Sequence, residues 1–214
     1  RNNAISERDK LFSIITHDLR SAFNSDKTDG PDSTINTLID NVLQWSRIEQ
    51  NNIQFNPERI KIHEELKEEL ENLSQISKSK EITLYNKIPV NLEVDADPKL
   101  LRIIIRNLIS NAIKFTPRGG DITVKGSVRK PDMIEISVED TGIGMSEAMQ
   151  KSLFTLNLEN GRYGTEGEPG TGLGLMICHN LIIKHSGNIS VESEAKTGSR
   201  FTVVLPKNQK ESSG

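Results

Sequence analysis

Three short stretches carry residue types that could do chemistry together. In Asp140-Thr141-Gly142-Ile143-Gly144-Met145 a carboxylate stands at the edge of a tight turn, beside glycines. Backbone and ligand can approach closely where there is no Cβ. A fixed carboxylate there can accept a hydrogen bond from an exocyclic amine such as that of adenine. A plain turn satisfies the same pattern, so the motif needs company. Asn107, Asn111 and Lys114 stand at i, i+4 and i+7, on one face of a helix. Amide oxygens are hard, neutral ligands suited to Mg²⁺, which keeps several waters and is shared with phosphate oxygens. A lysine one turn on can neutralise phosphate charge, although a merely solvated face has the same composition. Gly170-Thr171-Gly172-Leu173-Gly174-Leu175 opens a helix. Backbone N–H groups at a helix N-terminus form an anion site, and glycines let a polyphosphate lie against them. No strand leads directly into this glycine run, as a dinucleotide-binding fold requires, and the P-loop lysine is absent. The two standard glycine-loop nucleotide folds are therefore disfavoured.

The elements that must position these stretches follow from hydrophobic periodicity. Ile134, Ile136 and Val138 alternate with Glu135, Ser137 and Glu139, which predicts a half-buried strand delivering Asp140 to its turn. Asp97-Pro98 caps a long helix running to Phe115, with proline at the first helical position. Arg118-Gly119-Gly120 is a turn, after which residues 121–128 and 133–139 pair as a hairpin. Ile62, Leu66, Leu70, Leu73 and Ile76 predict a helix, 81–86 and 92–94 short strands. Ser146 caps a short helix ending near Phe154. Residues 155–170 hold Gly161, Gly164, Gly167, Pro169 and Gly170 and no regular period. A loop of that length in a compact domain suggests a lid. A helix over 171–185 and strands over 188–193 and 200–205 close the domain, and residues from Lys207 read as a polar tail.

Composition sets outer bounds. Hydrophobic residues are 34% and charged residues 27% of the 214, with a net charge of −3. No apolar run approaches the roughly 20 residues that span a bilayer, so no membrane contact is expected within this stretch. No basic stripe with interleaved aromatics points to nucleic acid. The single cysteine, Cys178, excludes an internal disulfide, fits a reducing compartment and reads as a buried small residue. The start, Arg1-Asn2-Asn3-Ala4, has neither an initiator Met nor a signal peptide, and the chain reads as a piece of a longer protein.

Ahead of this domain, Ser6-Glu7-Arg8-Asp9 matches a helix start, and Leu11, Ile15 and Leu19 form an apolar stripe. His17 lies two residues from Ile15 and Leu19, about 200° round the helix, and so faces away from the stripe. A second amphipathic helix follows the polar turn at Gly30-Pro31, with Ile35, Leu38, Ile39 and Val42 on one side. Two such helices leave one face bare, so a second copy is expected to cover it. His63, His179 and His185 read as surface or packing residues, and Trp45 as a packing residue.

Taken in order, these pieces resemble the cytoplasmic core of two-component sensor histidine kinases. Phe12-Ser13-Ile14-Ile15-Thr16-His17-Asp18-Leu19-Arg20-Ser21 resembles the phosphoacceptor box, 107–116 the N box, 140–145 the first glycine box and 170–175 the second. Leu153-Phe154 is similar to the intervening Phe motif. The resemblance implies an α+β chain: a helical hairpin over 1–53, half of a dimeric four-helix bundle, then an ATP-binding α/β sandwich over 54–208 and a tail over 209–214. Two departures stand out. Ala22 replaces a usual proline, and the hairpin between His17 and Trp45 is distinctly shortened.

The resemblance also implies roles. Asp140 would hold the adenine amine, with Gly142, Gly144 and Met145 shaping that end. Asn111 would ligate Mg²⁺, Asn107 would support the metal and phosphates, Lys114 would contact phosphate, and Phe115 would lie near the base. Gly170, Thr171, Gly172, Leu173 and Gly174 would admit the phosphates and release the lid. His17 would attack the γ-phosphorus of ATP, with Asp18 taking the proton of its other ring nitrogen. The phosphoryl group would pass to an aspartate of a response-regulator receiver domain. Relatives that hydrolyse ATP carry a glutamate where this chain has Asn107, and an amide cannot activate water. That favours a protein-histidine kinase over an ATP hydrolase. A module that binds ATP or dimerises and signals by conformation, without kinase activity, is the alternative.

Overall fold

The computed structural model describes residues 54–154, 163–168 and 172–209. The expected hairpin with His17, Asp18 and Trp45 lies outside the described residues, as do Gly170 and Thr171. The described elements are β1 (Glu58–Lys61), α1 (Ile62–Glu65), α2 (Lys67–Ser79), β2 (Thr83–Lys87), β3 (Glu93–Ala96) and α3 (Pro98–Phe115). They continue with β4 (Asp121–Lys130), β5 (Met133–Asp140), α4 (Glu147–Ser152), α5 (Gly174–Lys184), β6 (Asn188–Glu194) and β7 (Gly198–Pro206). β1 and β3 pair antiparallel, and the other strands form one mixed sheet in the order β2-β4-β5-β7-β6. Only the β2–β4 pair is parallel. The α+β sandwich expected from the sequence is the fold observed.

Register explains where the site carboxylate goes. Val124 opposes Val138, Ile122 opposes Asp140, and Phe201 and Ser199 sit across from Val138 and Asp140 on β7. Side chains two apart share a sheet face. Asp140 therefore continues the row Ile134, Ile136, Val138, all buried, and its carboxyl projects toward the core side rather than to open solvent. α3 packs over β4 and β5, α2 over β2 and α5 over β6. Leu101, Ile104, Ile105, Leu108 and Ile109 of α3 are fully or nearly fully buried, and removing one to Ala would cost roughly 2–5 kcal/mol.

The ends of α3 are set by named residues. At the start, Asp97 Oδ1 accepts from the backbone N–H groups of Lys99 (3.0 Å) and Leu100 (3.1 Å), while Oδ2 accepts from Asn56 N–H (2.9 Å). Such a cap contributes about 1 kcal/mol. Asp97 N–H donates to Nε2 of buried His185 (3.2 Å), whose Nδ1 donates to the Leu181 carbonyl (2.8 Å). Burial holds the pKa of His185 below its usual value, which fits this neutral, acceptor-bearing ring. At the other end Thr116 is extended, as a residue before proline tends to be, and the helix stops.

Some expectations shift. β1 has no apolar alternation of its own, since only Ile60 is buried, and its extended form comes from pairing with β3. The helix expected from Ile62 divides at Leu66, and near its end Ser77 is buried while Ile76 is 57% exposed. The last long helix starts at Gly174 rather than Thr171. The segment after β7 is bonded to the domain: Lys207 N–H donates to the Asp132 carbonyl (2.8 Å) and Gln209 N–H to Asp95 Oδ2 (3.2 Å). Among the described residues no helix is long and apolar enough to cross a membrane.

Candidate functional site

The turn after β5 is framed by close backbone contacts together with neutral side chains. Asp140 Oδ1 accepts from Gly142 N–H (2.8 Å) and from Ser199 N–H (3.2 Å) on the neighbouring strand. Oδ2 has no partner among the described residues, which leaves one acceptor of a fixed carboxylate unused. Burial pushes the carboxyl up to about 6, against the two N–H bonds that pull it down. Gly142 lies against α3: a Cβ there would stand 2.6 Å from both the Phe115 carbonyl oxygen and Asp140 Oδ1. Gly144 has φ +63, and a Cβ on it would overlap the Glu194 carbonyl. Both glycines are thus required by the space available, as well as by the turn.

α3 forms the floor of the cleft. Ile143 N–H donates to the Phe115 carbonyl (3.1 Å), which joins the end of the helix to the Asp140 turn. Two turns earlier, Asn107 Nδ2 donates to the Ile103 carbonyl (2.9 Å), and its Oδ1 faces Gly174, where a Cβ would approach to 2.9 Å. Asn107 and Phe115 are about 12 Å apart along the helix axis, a span that a nucleotide can bridge. Asn111 lies between them, half-buried, with no hydrogen bond to its carboxamide among the described residues. Lys114 Nζ lies 5.1 Å from the centroid of the Phe115 ring. Gly172 has φ +66, and Leu173 is fully buried just before α5.

The segment 163–168, part of the expected lid, is docked on this floor. Thr165 N–H donates to the Lys114 carbonyl (3.0 Å) and Thr165 Oγ1 to the Thr116 carbonyl (3.1 Å). Phe154, from the expected Phe motif, stacks on His179 of α5, with ring centroids 5.7 Å apart.

The structure therefore sets Asn107, Asn111, Lys114 and Phe115 along α3, with Gly174 against Asn107 and the turn of Asp140, Gly142 and Gly144 beside Phe115, while Leu173 is a core residue. Met145 is half-buried beside the turn, its N–H bonded to Ser193 Oγ (2.9 Å). His17, Asp18, Gly170 and Thr171 are outside the described residues. Several supporting residues went unforeseen in the sequence. Ser193 Oγ donates to the Gly198 carbonyl (2.8 Å) and lies 3.0 Å from Ser199 Oγ, and Gln150 Nε2 bridges the carbonyls of Met145 (3.3 Å) and Ser193 (2.8 Å). Small polar residues in exposed strands carry no signal of such bracing. The one available hint was Gly198 at the start of β7, which has φ +119 and no room for a Cβ against the Asp140 carbonyl.

Chemically, this arrangement offers a buried acceptor at one end, a row of amides and a lysine along the floor, and a glycine-opened helix N-terminus at the other end. That set matches a purine base, a hydrated divalent cation and a polyphosphate in that order.

An adaptive-response sensory kinase, SasA, of Crocosphaera subtropica is 31% identical over 93% of this chain and 59% of its own length. The chain thus spans little more than half of that relative. The mycobacterial sensor histidine kinase MprB superposes with a TM-score of 0.61 at 24% identity, over 72% of this chain and all of the solved one. Full-length ShkA, solved in complex with AMPPNP, gives 0.67 at 23% identity over 97% of this chain and 46% of its own. Residues 96–209, which hold all of the cleft described above, match the family model described as histidine kinase-, DNA gyrase B- and HSP90-like ATPase, and the chain belongs to that family.

Proposed function

We propose that this chain is the kinase core of a two-component sensor protein, which binds ATP with Mg²⁺ in the α3 cleft and phosphorylates His17. The observation that carries the reading is the free acceptor of Asp140 at one end of a floor whose other end is Asn107 against Gly174. Asp140 Oδ2 would accept from the adenine amine, since both backbone N–H groups bond to Oδ1. Asn111 supplies a neutral amide oxygen with no competing partner among the described residues, a fit for Mg²⁺ shared with phosphates. Lys114 would neutralise phosphate charge beside it, and the α5 N-terminus would receive the remaining oxygens. The bound cation would spread charge on the transferred phosphoryl group. Positioning and charge stabilisation supply most of what such a transfer needs.

Asn107 bears on what happens next. Its amide is held by the Ile103 carbonyl and cannot take a proton from water. That supports transfer to an imidazole over hydrolysis. His17 would attack with an unprotonated ring nitrogen, Asp18 would hold the other nitrogen's proton, and the γ-phosphorus–oxygen bond to ADP would break as the phosphorus–nitrogen bond forms. A receiver-domain aspartate would then accept the group. The SasA relative is named a sensory kinase, which accords with this assignment. A second copy of the chain would complete the hairpin bundle, in a cytoplasmic setting.

Labelled ATP and Mg²⁺ should yield an acid-labile, base-stable phosphoprotein in the wild type and none in His17→Ala, which should still bind ATP. Labelling that persists in His17→Ala overturns the acceptor. Steady phosphate release without any phosphoprotein favours hydrolysis, and nucleotide binding with neither favours a signalling module without kinase activity.

A further inference from the structure

Among the described residues Lys80 is the only lysine or arginine that is buried, at 4% exposure. It follows the last residue of α2, in a run (Ser77-Lys78-Ser79-Lys80) whose composition belongs on a surface. A buried ammonium persists only where its donors and its charge are matched. Here all three donors are used. Nζ donates to the carbonyls of Ile113 (3.0 Å) and Lys114 (3.1 Å) and to Glu168 Oε1 (2.7 Å). The two carbonyls belong to the last turn of α3, where they lack helical partners and where the helix dipole favours a cation. The third bond reaches the segment 163–168.

That segment is closed on itself. Gly164 N–H donates to the Glu168 carbonyl (2.8 Å), Gly167 N–H to the Gly164 carbonyl (3.1 Å), and Glu166 N–H to Glu168 Oε2 (2.8 Å). Glu168 thus uses one oxygen to shape its own turn and the other to hold Lys80. Partial burial pushes its carboxyl up, but the Lys80 bond, the backbone N–H groups and the ammonium charge outweigh this and hold it below the usual range. The seat is close: a Cβ at Gly164 would stand 2.6 Å from Lys114 Cγ and 2.7 Å from its carbonyl oxygen.

We propose that Lys80 and Glu168 are positioning residues for the nucleotide site, a buried ion-pair clip that seats 163–168 on the end of α3 and so fixes Lys114 and Phe115. The proposal rests on reading the cleft as an ATP site. Neither residue touches the nucleotide in this scheme. They act through the last turn of α3 and the residue that ends it, whose carbonyls at 113, 114, 115 and 116 are each held by the clip, the docked segment or the Asp140 turn.

The test uses the 214-residue chain, a non-hydrolysable ATP analogue with Mg²⁺, and amide hydrogen exchange on nucleotide-free protein. Glu168→Ala, at a half-exposed position, should fold, exchange faster at Gly164, Thr165 and Glu166 than the wild type, and leave β5 and β7 amides unchanged. Its Kd for the analogue should rise about tenfold. Lys80→Met should weaken binding at least as much, Lys80→Arg should recover most of the loss, and Lys80→Met/Glu168→Ala should bind no more weakly than Lys80→Met. Wild-type affinity in Glu168→Ala, or losses that multiply in the double variant, would overturn the clip's positioning role. Unchanged exchange at Gly164–Glu166 would overturn the clip itself. A wild type that fails to bind the analogue would instead overturn the ATP reading, and the exchange data would still decide whether the clip exists.

Discussion

At the Asp140 end of the cleft the holding is done by close backbone packing and neutral side chains, while at the end of α3 that meets 163–168 it is done largely by charged side chains. Gly142, Gly144 and Gly198 each sit where a Cβ would collide with main-chain oxygen, and Asp140 is fixed by two main-chain N–H groups. Across the floor, Lys80, Glu168, Arg118 and Glu166 hold the docked segment, helped by Thr165. Backbone packing leaves almost no alternative geometry. Ion pairs exchange readily with water when they are exposed, and only the buried member of the set should matter strongly. The two ends should therefore respond differently to substitution, salt and pH.

The largest effect is expected at Gly144. Gly144→Ala combines a left-handed backbone (φ +63) with overlap on the Glu194 carbonyl. Stability should fall by about 3 kcal/mol, and nucleotide affinity by more than about 100-fold. Gly167 in the docked segment is the contrast. Its φ is +84, but nothing lies within 4 Å of where a Cβ would stand. Gly167→Ala should cost only about 1 kcal/mol, from backbone strain alone. Thermal denaturation and calorimetric titration measure both, and equal losses at the two glycines would erase the proposed contrast.

Asp140→Asn comes next, because it separates stability from binding. The Asn oxygen can keep both N–H bonds, which leaves an NH₂ donor pointing where the carboxylate oxygen would have accepted the adenine amine. Two donors then face each other, and affinity should fall roughly 10- to 100-fold. The pH dependence has two opposite signs. In the nucleotide-free protein the carboxyl titrates at about 6, above its ordinary 3.8, so the folded state binds the proton more tightly than the unfolded chain. Its contribution to stability is full below pH 4 and is lost as pH rises through 6, a difference of about 3 kcal/mol at most. Asp140→Asn should accordingly be more stable than the wild type at pH 8, with the gap closing toward pH 4. Wild-type nucleotide affinity should instead weaken as pH falls through 6, while the variant's stays flat. Denaturant melts and titrations across pH 4.5–8 read both signs.

These differences also explain what the sequence made legible. The Asp140 turn was readable because glycines beside a strand end report a steric demand that is local. The start of α3 was readable for the same reason: Asp97-Pro98 is a cap written in adjacent residues, and the cap is observed. Even the side of the sheet that Asp140 occupies follows from counting back by twos through Val138 and Ile136. Lys80 was not readable. Its burial arises because the end of α2 meets the end of α3, a contact between residues 33 and 34 positions apart that leaves no mark in the run around Lys80. Ser193 and Ser199 were hidden for a similar reason, since their hydroxyls brace the turn only once β6 and β7 pair. β1 was missed because its extension is imposed by β3. His17 is the opposite case: its motif is plain in the sequence, and its placement lies outside the described residues.

The smallest effect is expected at Arg118, and it is the sharpest check on the side-chain end. Arg118 reaches Glu81 (3.0 Å), Glu166 (3.1 Å) and the Ser79 carbonyl (3.2 Å), so it links the α2–β2 turn to the same segment that Lys80 holds. By geometry it is a second clip. By environment it is not, because its side chain is 49% exposed and those of Glu81 and Glu166 are 68% and 43% exposed. Water competes for each of these bonds, and long exposed side chains lose entropy when held in one position. Arg118→Ala should therefore leave nucleotide affinity within about twofold of wild type, and the remaining difference should vanish at high salt, where exposed charges are screened over a few ångströms. Glu168→Ala should keep its tenfold loss at the same salt, because its partner is buried. Titrations of the two variants at low and high salt decide the matter. If both losses are equal and both disappear with salt, burial of Lys80 contributes nothing, and the segment is held at the surface alone.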